Sequence, residues 1–204
     1  MRGPRLLGLL LLGLFATSSA RIETATKIQF QEKKHGQDLV GVGVRKKGPI
    51  KVYGVGMYVD PLASKFKLSK YKGQPELPTN AFLQNFGKTL VLKMAFGVTK
   101  EKIATALVES IKPRMAGGAK DIDQFERILL DGCEKFAKGG KACAGTEFAF
   151  SIRGATLGVA VNGHKAGSVS SQPLCSALLK CYFDNKCVSP GLKAQCNEGL
   201  LSRL

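Results

Sequence analysis

The spacing of hydrophobic residues changes period part-way along the chain, and that change limits the fold more than any other feature. Up to about residue 98, apolar side chains recur at alternate positions. They do so in "TKIQFQEKK" (26–34), in residues 39–45 and 50–59 on either side of the turn cluster "KKGP", and in "KTLVLKMAFGV" (88–98). Alternation marks half-buried strands. From Thr99 the period becomes helical. "TKEKIATALVESIKPRM" places Ile103, Ala106, Leu107, Ser110 and Ile111 on one face, with Thr99 as N-cap and Pro113 near the end. "DIDQFERILLDGCEKFA" repeats the pattern with Phe125, Ile128, Leu129, Cys133 and Phe136. Strands return in "TEFAFSIR" and "TLGVAVN", and Asn162-Gly163 predicts a tight hairpin into "HKAGSVS". The chain closes with a helix in "SQPLCSALLKCYFDN" and a shorter one in "SPGLKAQCNEGLLSRL". Strands, helices, hairpin, helix is an α+β order: a largely antiparallel sheet with helices packed on one face.

The first 20 residues read as an address. Arg2 and Arg5 precede an apolar run from Leu6 to Ala16 and the small residues Ser18, Ser19 and Ala20. That is a secretory signal peptide, too short in its apolar part to span a bilayer. It implies entry into the secretory pathway, leading to the exterior, the endomembrane system, or a plastid reached through it. Residues 21–204 then form a single domain, expected as a monomer. The whole chain carries +16, and removing the two leader arginines leaves +14. Such a field attracts anionic partners, an anionic membrane surface among them, and "SKFKLSKYKG" (64–73) is its densest stretch. Nucleic acid is disfavoured, because no aromatic stacking platform accompanies the lysines. Six cysteines, Cys133, Cys143, Cys175, Cys181, Cys187 and Cys196, permit disulfides in an oxidising compartment. Cys133 with Cys143, and pairing among the last four, are both open. No metal site and no cofactor is expected: CxxC is absent, and His35 and His164 each sit beside a glycine in a polar turn-like stretch. No G-x-S-x-G, P-loop or H-E-x-x-H motif occurs.

The hairpin at residues 41–60, "GVGVRKKGPIKVYGVGMYVD", carries the candidate site. Gly41, Gly43 and Arg45 alternate and so share one face of the first strand. If odd positions pair with odd positions across a three-residue loop, Tyr53, Val55 and Met57 join that face. The result is a slot with apolar walls and an arginine–tyrosine pair at its end. Guanidinium donates to a carboxylate in bidentate fashion, and a phenol adds a donor. An elongated amphipathic acid is the ligand this composition predicts. The competing reading is structural: the glycines mark a bulge or a close helix approach, and Arg45 lies at the rim.

These residues resemble a known family. "LVGVGVRKKGPIKVYGVGMYVD" is similar to the paired-strand motif of the chalcone isomerase-like fold, and "VNGHKAGSVSSQPLCSALLKCYFDNKCVSPGLK" (161–193) to its C-terminal block. The resemblance covers roughly residues 26–193. It implies an open-faced β-sandwich: a large antiparallel sheet against a layer of helices, with the ligand cleft between. The family contains isomerases that close a chalcone to a flavanone, an intramolecular lyase reaction, and non-catalytic fatty-acid-binding relatives. The isomerase arginine matches Arg45. The isomerase threonine falls at Tyr53, where a tyrosine resembles the fatty-acid-binding branch. The isomerase helix tyrosine and asparagine fall at Lys102 and Glu109, and its polar residue near the C-terminal block at Ser168 or Ser170. With phenol and amide both replaced, the resemblance implies binding of a long-chain fatty acid in lipid metabolism or transport. Chalcone isomerisation is the alternative.

Overall fold

The computed structural model describes residues 19–204, so all but the last two residues of the expected leader lie outside the described part. Strands β1 (Ala20–Ile22) and β2 (Gln29–Gln31) form a small antiparallel hairpin. Seven further strands form the main sheet in strict chain order: β3 (Lys33–Lys34), β4 (Gln37–Lys47), β5 (Ile50–Val59), β6 (Lys88–Met94), β7 (Glu147–Arg153), β8 (Thr156–Val161) and β9 (His164–Ser170). Every pairing is antiparallel. The helices interrupt or follow this meander: α1 (Pro61–Leu68) and α2 (Thr79–Phe82) between β5 and β6, α3 (Lys100–Ile111) and α4 (Ala119–Phe136) between β6 and β7, α5 (Gln172–Phe183) and α6 (Pro190–Leu201) after β9. The α+β reading, with helices layered on an antiparallel sheet, is what the fold is.

Alternation decides which side chains reach the helix layer. Tyr53, Val55, Met57 and Val59 on β5, Leu90, Leu92 and Met94 on β6, and Phe148, Phe150 and Ile152 on β7 join the main core with Phe125, Leu129, Leu178 and Leu192 of the helices. The opposite face carries a smaller cluster of Phe30, Leu39, Val42, Tyr58 and Val91, roofed by the β2 segment. Helix starts follow their local chemistry. Asp60, Thr99 and Ser171 accept from Ala63 N, Lys102 N and Leu174 N, and proline occupies the first turn of α1, α5 and α6.

Three sequence expectations shift. The strand expected at 26–34 starts later and is divided: Glu23 accepts from the amides of Ala25 and Thr26 and the Thr26 hydroxyl, closing a turn at Lys27 (φ 62°) that delays the strand to Gln29, and a bend at Glu32 separates β2 from β3. The buried stripe of α3 is Ile103, Ala104, Leu107, Val108 and Ile111, so Ala106 and Ser110 stand at its edge. The six cysteines are free thiols. Cys175 and Cys181 lie six residues apart on one helix, about 9 Å along its axis, beyond disulfide reach. Cys133 and Cys196 are buried on separate helices, α4 and α6. Among the described residues no helix is long and apolar enough to cross a membrane, and no cluster of His, Cys, Asp and Glu suits a metal ion.

Candidate functional site

The β4–β5 hairpin turns tightly at Gly48-Pro49, with Lys47 opposite Ile50 and Lys46 opposite Lys51. An irregularity at Val52 then offsets the ladder, and Arg45 faces Tyr53, Gly43 faces Val55 and Gly41 faces Met57. Odd positions therefore meet odd positions. They do so through a two-residue turn plus a bulge, not through a three-residue loop. The proposed partners share one face, the one that looks toward the helices.

The space over the glycines is occupied. A second irregularity, between Leu39 and Gly41, turns both Val40 and Gly41 toward the helix layer. Helix α6 lies directly on this lane. A Cβ on Gly43 would stand 2.5 Å from Leu192 N and 2.7 Å from Ser189 Oγ, and one on Gly41 would stand 2.6 Å from Cys196 N. The helix answers in kind, since a Cβ on Gly199 would collide with the Val40 carbonyl. These glycines serve close helix approach, so the lane read as vacant holds α6 itself. Val55 and Met57 are likewise buried in packed core.

Beyond the lane lies a polar centre. Tyr53 Oη and Tyr182 Oη, on β5 and α5, are 2.9 Å apart and fully buried. The half-buried Arg45 guanidinium stands beside them. Burial raises the pKa of both phenols; Arg45 works against the rise at each, and Tyr53 adds to it at Tyr182. Both are neutral at physiological pH. Cys181, next on α5, donates to the carbonyls of Ser110 and Ala177, and burial pushes its thiol up to about 12. No carboxylate pairs with Arg45 among the described residues. The hydroxyl pair spends one of its two protons on the mutual bond, which leaves the other free to donate. Arg45 and that proton make a donor-rich site with no internal acid.

The remaining candidates stand elsewhere. Lys102 and Glu109 lie on the exposed side of α3. Ser168 and Ser170 are exposed on β9, on either side of the buried Val169, and so face away from the helix layer. None of the four joins Arg45 and Tyr53. A groove of about 600 Å³ opens at the α5–α6 connection, bordered by Glu76, Asp184, Cys187 and Asn197; Arg45 and Tyr53 do not line it. Tyr182 was missed from the sequence, although a signal exists. It extends the buried stripe Leu174, Leu178, Cys181 of α5, and a buried phenol needs a partner.

Residues 16–196 match the family model described as chalcone isomerase-like. The chain belongs to the chalcone isomerase-like family. Among solved structures, a fatty-acid binding protein of Arabidopsis thaliana is similar in fold. Its TM-score is 0.75 at 20% identity, over 91% of this chain and 98% of that one. No curated protein matches the sequence. In this structure Arg45 and Tyr53 are paired across the β4–β5 hairpin, and Tyr53 is buried in the core between sheet and helices.

Proposed function

We propose that this protein binds the carboxylate of a long-chain fatty acid at Arg45 and the Tyr53–Tyr182 pair, without catalysis. The observation that carries the reading is the donor-rich centre: a half-buried guanidinium beside two buried phenols, one phenolic proton uncommitted, and no carboxylate of the chain's own. A ligand carboxylate would accept from both kinds of donor. The acyl tail would run along the apolar face of β5, past Val55 and Met57. There α6 now sits over Gly41 and Gly43, so entry requires that helix to move away from the sheet. Burying a C16 tail contributes roughly 10 kcal/mol gross, whereas the charge-assisted bond adds about 1.5–3 kcal/mol net. The tail would therefore set affinity, and Arg45 with Tyr53 would set orientation and selectivity for acids.

The fold similarity to a fatty-acid binding protein supports this reading, as does the tyrosine at position 53. Chalcone isomerisation draws support from Arg45 alone, since Lys102, Glu109, Ser168 and Ser170 do not reach it. Native mass spectrometry after incubation with palmitate tests the proposal. Uptake of one acid, reduced at least tenfold in Arg45→Ala and weakened in Tyr53→Phe, is the expected result. A wild-type protein that takes up no long-chain acid overturns it, as does uptake indifferent to Arg45.

A further inference from the structure

Helix α1 shows its hydrophobic residues to solvent. Leu62 is 81% exposed and Phe66 77% exposed. At i and i+4 they stand one above the other on the same face. The opposite face is fixed in the protein: Ser64 and Leu68 are buried, and Asp60 caps the first turn through Ala63 N. The helix therefore cannot roll to hide Leu62 and Phe66 without unseating Leu68. Residues 61–75 hold Lys65, Lys67, Lys70 and Lys72 and no acid. None of these lysines forms an ion pair among the described residues. On a helical wheel Lys65 flanks one side of the apolar pair and Lys67 the other, with Lys67 Nζ 6.0 Å from the centre of the Phe66 ring. An apolar centre set between unpaired cations is complementary to an anionic lipid surface: acyl chains receive the two side chains, headgroups the lysines.

We propose that α1 docks the protein on anionic bilayers, with Leu62 and Phe66 inserted at the interface and Lys65, Lys67, Lys70 and Lys72 on the headgroups. This surface follows from α1 and stands independently of the fatty-acid reading. The two are related in space, because α1 begins where β5 ends, six residues and about 20 Å along the strand from Tyr53. A tail lying along β5 would point its methyl end toward the membrane-facing helix.

The sequence contains no tryptophan, so Phe66→Trp provides a single local reporter. In the full chain, its emission should shift to the blue on vesicles of phosphatidylcholine with 30% phosphatidylglycerol, and brominated lipid should quench it. Reading at the helix itself keeps any contribution of the N-terminal apolar run out of the signal. Adding Leu62→Ser should weaken the titration about tenfold. Neutralising the four lysines to glutamine should weaken it roughly a thousandfold and reduce its salt dependence. Arg45→Ala should leave it unchanged, which separates this result from that of the fatty-acid test. An emission unmoved by anionic vesicles overturns the proposal. Equal response to pure phosphatidylcholine overturns the role of the lysines. A shift that appears without lipid, grows with protein concentration and accompanies dimers in sedimentation would assign the surface to a second copy of the chain instead.

Discussion

Lys88 opens β6 with its side chain inside the protein, 2% exposed. Its ammonium donates to the Gln84 carbonyl at 2.5 Å and lies 3.8 Å over the Phe86 ring. No carboxylate pairs with it among the described residues. Burial lowers its pKa from 10.5 to about 8. A fall of that size corresponds to roughly 3 kcal/mol of destabilisation whenever the folded protein must carry the charge. Replacing Lys88 by methionine keeps much of the stem and removes the charge. It also removes the bond to Gln84, so the net gain near pH 7 should be about 1–3 kcal/mol. For a chain of this size that raises the melting temperature by about 3–10 °C. The sign follows from proton counting. Between pH 8 and 10.5 the unfolded chain holds a proton at Lys88 that the folded protein has lost. The wild type therefore gains stability as pH rises through this window, whereas Lys88→Met does not. Urea unfolding of both proteins at pH 7, 9 and 10.5 reads the difference directly. The advantage of the variant should be full at pH 7 and shrink to its packing contribution at pH 10.5. A variant less stable at pH 7, or a difference that does not change with pH, would refute the assignment of Lys88 as an uncompensated buried cation.

Other perturbations test the packing around the site. Gly43→Ala drives a methyl against Leu192 N and Ser189 Oγ, and should cost about 1–3 kcal/mol in a thermal melt; no loss would mean that α6 is not seated on β4. Asp184 forms a two-bonded pair with Arg114, at 2.7 and 3.1 Å. Burial acts to raise the pKa of Asp184, but Arg114 prevails and holds the carboxyl below 3.8. Its stabilising contribution is therefore present above pH 3.8 and lost as pH falls through the lower folded value, so Asp184→Asn should be less stable than wild type at pH 6 and converge with it in acid. Native thiol labelling should modify the half-exposed Cys143 and Cys187 quickly and spare the buried Cys133, Cys175, Cys181 and Cys196. Six slow thiols, or a mass lower by paired protons, would contradict the free-thiol state. If a fatty acid displaces α6, loading should also speed labelling of Cys196, which lies over Gly41.

The sequence by itself determined the sheet, its hairpins and the larger helices, because each is written in local periodicity and turn chemistry. Alternation at 39–59 and 88–94, the Asn162-Gly163 turn and the caps at Thr99 and Ser171 act within a few residues of themselves. Local alternation put Arg45 on one face with Gly41 and Gly43, and Tyr53 on one face with Val55 and Met57, but the bulge at Val52 decided that the two sets meet, because the two-residue turn alone would set Arg45 opposite Val52. Alternation could not say what lies above Gly41 and Gly43. A glycine lane looks the same in sequence whether a ligand or a helix fills it, and only the descent of α6, some 150 residues later, decided that it is a helix seat. The same long-range packing brought Tyr182 onto Tyr53 and left Leu62 and Phe66 facing outward, because contacts between distant segments depend on the whole core and on no single stretch of chain.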